Sequence, residues 1–299
     1  MTLGAPRRLG KSGLEVSPLA WGMWRFRGQD VKHARTLVET ALATGITLFD
    51  TADVYGPDNG EAFGAAESLL GRVFAQAPSL RDTMVLASKG GIVPGVPYDS
   101  SARYLVEACE NSLRRLRVAR LDLYQIHRPD MLAHPAEVAG ALDRLRQAGK
   151  IAHAGVSNHT VAQTRALAAH MPFALATTQP EFSPLAIGAL ADGTLDHAME
   201  QDLGVLAWSP LAGGHLAGHS ADVRTGAVIA ELDRLAQREG VPRSVIAYAW
   251  VLAHPSGAIP IVGSQQPDRI REAALALRVG LSRADWYAVL TASRGEKLP

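Results

Sequence analysis

The chain has 299 residues, of which 47% are hydrophobic and 20% are charged. This composition excludes a disordered chain, and the length allows one large domain or two ordinary ones. Thirty Lys and Arg residues against 29 Asp and Glu residues leave a formal net charge of +1, so no long-range field favours nucleic acid or an anionic membrane as a partner.

The N-terminal residues contain no apolar leader, and we find no run of 18 apolar residues for a membrane span. Cys109 is the only cysteine, which excludes an internal disulfide and suits a reducing compartment. It shares an apolar helical face with three leucines, so we expect a buried thiol. We therefore expect a soluble cytoplasmic protein.

Short apolar runs rich in branched residues alternate along the chain with stretches of helical period. This alternation is typical of a β/α protein with a parallel sheet. The predicted strands are Leu19–Trp24, Ile46–Asp50, Met84–Lys89, Leu121–His127, Ile151–Ser157, Leu175–Gln179, Gly204–Trp208 and Ala258–Val262.

The stretches between these runs carry start and stop signals for helices. Apolar residues recur at helical spacing after Asp30, which is placed to cap a helix that Gly45 ends. A second helix begins at Pro135 and ends before Gly149.

Eight strands, each followed by a helix, predict a (β/α)8 TIM barrel in a single domain over residues 1–299. No G-x-G-x-x-G follows the first strand, which disfavours the alternative of an open dinucleotide-binding sheet. Residues Arg7–Val16 predict a β-hairpin before the barrel, and Arg283–Thr291 predict a helix after it. We expect both to cover barrel ends.

Polar residues occur at the C-terminal ends of the predicted strands, where barrel active sites are built. Because consecutive barrel strands are neighbours, Asp50, Lys89 and His127 should converge, and Tyr55 can lean over them from a Gly-rich loop. The further polar strand ends are Ser157, Asn158, Gln179 and Ser209.

This set of side chains suits the polarisation of a carbonyl group. We expect Lys89 to lower the pKa of Tyr55, which would donate a proton to a developing alkoxide. Asp50 would orient Lys89, and His127 would direct the substrate oxygen. Any hydride must come from a bound cofactor, because no side chain supplies one.

Taken singly, each of these residues has a structural alternative. Asp50 could be a cap, and Lys89 could form a salt bridge. His127 could be a core histidine, and Tyr55 could be a loop aromatic. Their joint placement on three consecutive strand ends favours the functional reading. A metal-dependent hydrolase is disfavoured because Lys89 would repel a cation, and His215 and His219 lie in a Gly-rich stretch without further ligands. We expect no metal.

Seven segments give the chain a family resemblance from about Leu9 to Ala273. They are Lys11–Gly22, Phe49–Gly56, Ser88–Gly90, Gln125–Asp130, Gly149–Asn158, Trp208–Leu211 and Ile259–Ser264. The chain resembles the aldo-keto reductases and, within that family, the YdhF-type bacterial oxidoreductases. All four members of the family's catalytic set are present, as Asp50, Tyr55, Lys89 and His127.

The resemblance implies an NAD(P)H-dependent reduction of aldehydes and ketones to alcohols at the C-terminal mouth. The residues implied to contact the nicotinamide half are Ser157, Asn158 and Gln179 at the carboxamide, Trp208 stacked on the ring, and Gly22, Met23 and Trp24 beside the reacting carbon. The loop implied to lie over the pyrophosphate begins at Ser209, Pro210, Leu211 and Gly213. Trp208 is alternatively a rim aromatic, and Asn158 an N-cap of the next helix.

The resemblance also bears on the choice between NADP and NAD. Ser264 and Arg269 match the family's pair at the adenosine 2′-phosphate, and Glu272 is retained. Against this, Gly263 replaces a lysine that many members carry, and Ala273 replaces an asparagine at the adenine. We expect NADP rather than NAD.

The expected partner is a small-molecule carbonyl substrate, without nucleic acid or membrane. We expect the loop Gly90–Tyr98, the segment Phe182–Thr194 and Trp24 to form an apolar pocket for aromatic or aliphatic carbonyls. An alternative function is a cofactor-binding redox sensor resembling potassium-channel β subunits, which would show little turnover.

Overall fold

The computed structural model describes residues 4–220 and 222–298. Its centre is a closed barrel of eight strands: β3 (Ala20–Gly22), β4 (Leu48–Asp50), β5 (Val85–Gly90), β6 (Leu121–Ile126), β7 (Ile151–Ser157), β8 (Thr177–Gln179), β9 (Gly204–Ala207) and β10 (Ile259–Val262). All neighbouring pairs are parallel, and β10 closes the barrel between β9 and β3. The predicted (β/α)8 barrel is confirmed.

The helices are α1 (Val31–Ala43), α2 (Ala65–Gln76), α3 (Ala102–Leu116), α4 (Pro135–Gln147), α5 (Val161–Ala168), α6 (Thr194–Gln201), α7 (Val223–Glu239), α8 (Arg243–Leu252), α9 (Pro267–Ala273) and α10 (Arg283–Arg294). Two helices, rather than the predicted one, connect β9 to β10. Gly240, with a φ of 64°, ends α7, and Pro242 starts α8. None of the helices in the described ranges is long and apolar enough to cross a membrane.

The predicted helix signals are used as expected. The Asp30 side chain accepts the N–H of His33 at 3.0 Å, and Pro135 is the first residue of α4. Gly149 takes a φ of 69° just after α4. Cys109 is fully buried on α3, where burial raises the pKa of its thiol to about 12.

The N-terminal hairpin closes the bottom of the barrel, as predicted. Its strands are β1 (Arg7–Arg8) and β2 (Glu15–Val16), and Leu9 between them is fully buried among inward-facing side chains of the barrel. Gly10 has a φ of 53°, and a Cβ there would lie 2.5 Å from the carbonyl oxygen of Asp202. Only glycine lets the hairpin approach the barrel this closely.

The C-terminal helix α10 is present, but the expectation that it covers a barrel end is wrong. It packs on α7 and α8 in the outer helical layer. The Trp286 ring stacks on Trp250 of α8 with centroids 4.8 Å apart, and each indole N–H donates to the other residue's carbonyl. Asp285 also accepts a hydrogen bond from Arg238 of α7. These contacts hold the helix on the side of the barrel.

Candidate active site

A buried lysine, Lys89, lies at the base of the C-terminal mouth of the barrel. We call Lys89 and its neighbours Asp50, Tyr55 and His127 the floor of the mouth. The Lys89 ammonium donates to the Asp50 carboxylate at 2.7 Å, to the Thr51 carbonyl at 2.9 Å and to the Tyr55 hydroxyl at 3.3 Å. Lys89 is fully buried and Asp50 is 3% exposed. Three acceptors match the three N–H groups of the ammonium, so its orientation is fixed.

Strand register explains this convergence. β4, β5 and β6 are adjacent, and Lys89 pairs in register with Gln125. The side chains of Gln125 and Gln179 both reach the second oxygen of Asp50, at 3.5 and 3.1 Å. Thr177 in turn donates to Gln125 at 3.0 Å.

Sequence reasoning missed Gln125 and Thr177, and it assigned Gln179 only to the cofactor. A signal for Gln125 was available. It lies two residues before His127, and alternate residues of a strand face the same side of a sheet. All three polar side chains support the Asp50–Lys89 pair from inside the barrel.

His127 stands beside Tyr55 at the edge of the floor. The two rings meet edge to face with centroids 5.8 Å apart. The His127 backbone N–H donates to Gly90, and its carbonyl accepts from the Asn158 side chain. Its Nδ1 is buried and has no hydrogen-bond partner among the described residues.

Burial and charge set the protonation states of the floor. Burial outweighs the Lys89 charge, which lowers the pKa of Tyr55 as predicted, so the pKa of Tyr55 lies above its ordinary value. Burial alone would lower the pKa of Lys89, but the Asp50 charge outweighs it and the pKa is raised. Burial and the Lys89 charge hold the pKa of His127 well below its usual range, so this imidazole is neutral.

A second polar cluster lies behind the floor, between β5 and the helices. Glu67 of α2 is fully buried and accepts hydrogen bonds from Ser88 at 2.6 Å and from Arg115 at 2.8 Å. Asp53 is also fully buried, but neither carboxyl oxygen has a partner in the described part of the chain. Burial and the Glu67 charge raise the Asp53 pKa well above its usual range. Sequence reasoning did not single out either acid.

The residues expected at the nicotinamide carboxamide lie together beside the floor. The Ser157 hydroxyl donates to the Gln179 carbonyl at 2.9 Å, and the Asn158 amide donates to Ser157 at 2.8 Å. The Trp208 indole donates to the Asn158 side chain at 2.9 Å. Thr160 caps α5, so Asn158 is not the N-cap that was the alternative.

The first barrel strand contributes less to the mouth than expected. A Cβ at Gly22 would lie 2.6 Å from the Ile261 side chain, so this position requires glycine. The Met23 side chain is fully buried in the core. Trp24 alone presents a side chain to the mouth: it is 42% exposed and donates to Asp58 at 3.0 Å.

The loop after β9 is folded toward the first strand. Ser209, with a φ of 49°, turns the chain, and Pro210 and Leu211 lead to Gly213 and Gly214, whose φ angles are also positive. Arg25 donates to the Gly213 carbonyl at 2.9 Å. This hydrogen bond joins two rim loops across the end of β10.

Several side-chain polar groups in the segment after β10 have no hydrogen-bond partner among the described residues. The Gln265 amide donates to Gly22 at 3.1 Å, whereas its buried oxygen has no partner among the residues described. Gly263 and Arg269 are exposed, and neither Arg269 nor Glu272 makes a hydrogen bond or ion pair within the described ranges. The Ser264 hydroxyl accepts the Gln266 N–H.

The expected apolar pocket differs from the observed rim. Phe182 is fully buried and packs on Trp250, 5.2 Å between centroids, so it belongs to the core. The exposed side chains of the other expected pocket segments include Trp24, Val96 and Tyr98. Charged side chains lie at the rim as well. Arg128 lies 5.6 Å from the Trp208 ring centroid, and Glu181 pairs its backbone with Trp208.

Comparison with known proteins places the chain in a family. The model of the aldo/keto reductase family matches residues 18–292. The chain belongs to this family. The expected resemblance is therefore confirmed.

Two curated members of the family are similar over nearly their whole length. The chain is 54% identical over 295 residues to a protein of Novosphingobium aromaticivorans named 6-dehydroglucose reductase, covering 98% of this chain and 97% of that protein. It is 37% identical over 300 residues to Oxidoreductase YdhF of Escherichia coli, covering 96% and 97%. A thermostable aldo-keto reductase crystallised with epalrestat superimposes with a TM-score of 0.82 at 23% identity, covering 96% of this chain and 99% of that one, which shows a shared fold.

Aldo-keto reductases generally use NAD(P)H. The unpaired groups described above fit such a dinucleotide. The buried Gln265 oxygen and the Arg269 guanidinium, which has no hydrogen-bond or ion-pair partner in the described ranges, both lie just past β10. An extended ligand with amide, phosphate and hydroxyl groups would satisfy them.

Proposed function

We propose that the protein is an NADP(H)-dependent reductase of aldehydes and ketones in which Tyr55 is the proton donor. The observation that carries the proposal is the contact of the Lys89 ammonium with both Asp50 and the Tyr55 hydroxyl in a buried floor. An oriented acid beside a fixed positive charge stabilises an oxygen that is becoming an alkoxide.

Each floor residue has a distinct part in the proposed reaction. Tyr55 keeps its proton at neutral pH because burial raises its pKa, and it donates that proton to the substrate oxygen. Lys89 stabilises the resulting phenolate through its charge and hydrogen bond. His127 is neutral, so it orients the carbonyl by hydrogen bonding without competing as a strong acid.

The proposed cofactor site extends from the floor past β10. Ser157, Asn158 and Gln179 would hold the carboxamide, and Trp208 would lie against the ring. NADPH, when bound, supplies the hydride. Because its guanidinium is free, Arg269 would bind the 2′-phosphate together with Ser264, which favours NADP over NAD.

We further propose a sugar-type aldehyde as the substrate. The 54% identical relative is named 6-dehydroglucose reductase, and the alignment spans nearly both chains. The exposed Trp24 ring, held by Asp58, offers an aromatic face to a sugar ring. Arg128 and Glu181, which both adjoin Trp208, offer hydrogen-bonding partners for hydroxyl groups that a purely apolar carbonyl would not use.

Turnover tests the proposal. The purified protein would be mixed with NADPH and a large excess of D-glyceraldehyde, and NADPH absorbance would be followed. We expect many turnovers per enzyme and much slower turnover with NADH. At most one equivalent of NADPH consumed would contradict the reductase and support the sensor, which the similarity to proteins named reductase does not favour.

A further inference from the structure

Arg128 directly follows His127, and its side chain contacts the Trp208 ring. It follows the end of β6, and its guanidinium carbon lies 5.6 Å from the ring centroid of Trp208, the residue directly after β9. The side chain is only partly exposed. It makes no hydrogen bond or ion pair with any residue in the described ranges.

Other arginines near the mouth are tied to the protein. Arg25 donates to the Gly213 carbonyl, and Arg72 donates to the Gly28 carbonyl. Arg128 is different, because its five N–H donors remain available in a partly desolvated place next to the floor. Such a group gains most from a ligand that brings acceptors.

Glu181 supplies the complementary charge. It lies two residues beyond Gln179, and its backbone bridges to Trp208. Burial raises the pKa of its carboxyl and the Arg128 charge lowers it, which shows that the two groups act on each other. They nevertheless form no ion pair within 4.0 Å in this structure. Arg128 and Glu181 thus both adjoin Trp208, and they are not paired with each other.

We propose that Arg128 and Glu181 bind hydroxyl groups of the substrate next to its reacting carbonyl, and so determine a preference for polyhydroxy aldehydes. The inference rests on the proposed reductase function and names the residues that would select its substrate.

Hydroxyl chemistry fits this pair better than an anion does. A hydroxyl accepts from a guanidinium and donates to a carboxylate, so two neighbouring hydroxyls can join both groups. A substrate phosphate or carboxylate would pair with Arg128 but be repelled by Glu181. An alkyl aldehyde would leave both groups without new hydrogen bonds while removing water from them, which is unfavourable.

The test compares aldehydes that differ only in polar groups. Values of kcat/KM would be measured for D-glyceraldehyde, propanal and D-glyceraldehyde 3-phosphate with the wild type, Arg128→Met, Arg128→Lys and Glu181→Gln. Arg114→Met is the matched control, since Arg114 is exposed in the last turn of α3, which leads to the start of β6 at the end of the barrel opposite the mouth. Equilibrium binding of D-glucose, followed by tryptophan fluorescence, gives a readout besides turnover.

We expect Arg128→Met to reduce the preference for glyceraldehyde over propanal about tenfold or more, mainly through KM, with Glu181→Gln smaller in the same direction. D-Glucose affinity should fall in parallel, Arg128→Lys should recover part of it, and Arg114→Met should change neither the preference nor the affinity. If Arg128→Met does not fold, Arg128→Lys and Glu181→Gln decide the question through the same ratio.

Three outcomes would overturn the inference. The preference ratio could stay within twofold in the Arg128 and Glu181 variants. The wild type could prefer the phosphate ester, with Arg128→Met abolishing that preference, which would make Arg128 an anion site. The variants could lower kcat equally for all aldehydes, which indicates a structural role. If the wild type reduces no aldehyde at all, the reductase proposal fails instead.

Discussion

The floor of the barrel mouth and its rim, which includes Arg128, Glu181 and Arg269, differ in whether their polar side chains have hydrogen-bond partners within the protein. In the floor, Lys89 is fully buried and every ammonium N–H has an acceptor. At the rim, none of Arg128, Glu181 and Arg269 forms a hydrogen bond or ion pair within the described part of the chain. The proton-transfer groups are thus oriented before a ligand arrives, whereas the recognition groups are left for the ligand to satisfy.

This difference predicts how the two regions respond to substitution. A floor residue is coupled to its neighbours, so its removal should affect folding and rate together. Arg128, Glu181 and Arg269 have no hydrogen-bond or ion-pair partner in the described part of the chain, so their removal should change the affinity for one ligand more than the stability.

Lys89→Met should have the largest effect, because it removes the charge beside Tyr55 and leaves Asp50 buried without its partner. We expect kcat/KM to fall by about 10²–10⁴ and the free energy of unfolding to fall by about 3–5 kcal/mol. Urea denaturation and steady-state kinetics measure the two effects. The double variant Lys89→Met/Asp50→Asn should recover stability but not rate; recovery of both would contradict the coupling.

Arg269→Gln should act on the cofactor alone. We expect KM for NADPH to rise about 10- to 100-fold, because a charge-assisted contact to phosphate is lost, with KM for NADH changed less than twofold. Arg271→Gln, on the same helix but paired with Asp268, is the matched control. Equal changes for both cofactors would remove the assignment of Arg269 to the 2′-phosphate.

Asp53→Asn tests the buried acid behind the floor by stability. The folded-state pKa of Asp53 is raised, so the folded state binds more protons than the unfolded state, and stability falls as pH rises above the unfolded pKa of about 4. An asparagine at this position does not ionise, so the variant does not lose this stability as the pH rises. We expect the variant to be more stable by about 1–3 kcal/mol at pH 8 and equal to the wild type near pH 4. Greater stability at both pH values would show a different cause.

The pH profile tests the raised pKa of Tyr55. Its proton is present below the folded pKa, so kcat for reduction should be flat from neutral pH to about 10 and fall only above that. His127 should contribute no inflection near pH 6.5, because its pKa is held far lower. A decline beginning near pH 8 would instead support a tyrosine activated by Lys89.

The sequence predicted the barrel and its floor because strand ends, caps and glycines are local signals. It could not supply contacts made between distant strands, such as Gln179 and Thr177 beneath Asp50. Periodicity also does not show which of two apolar surfaces a segment meets, so Phe182 was placed in the pocket and α10 at a barrel end. The net pKa of Tyr55 depends on burial, which spacing does not reveal.

The role of Tyr55 as proton donor is tested most directly by comparing the wild type with Tyr55→Phe in NADPH-dependent reduction of D-glyceraldehyde. NADPH binding would be measured in parallel. Phenylalanine keeps the ring beside His127 and removes only the hydroxyl that Lys89 contacts. We expect kcat to fall by about 10²–10⁴, with the NADPH Kd unchanged. A variant that turns over within twofold of wild type would contradict Tyr55 as the proton donor.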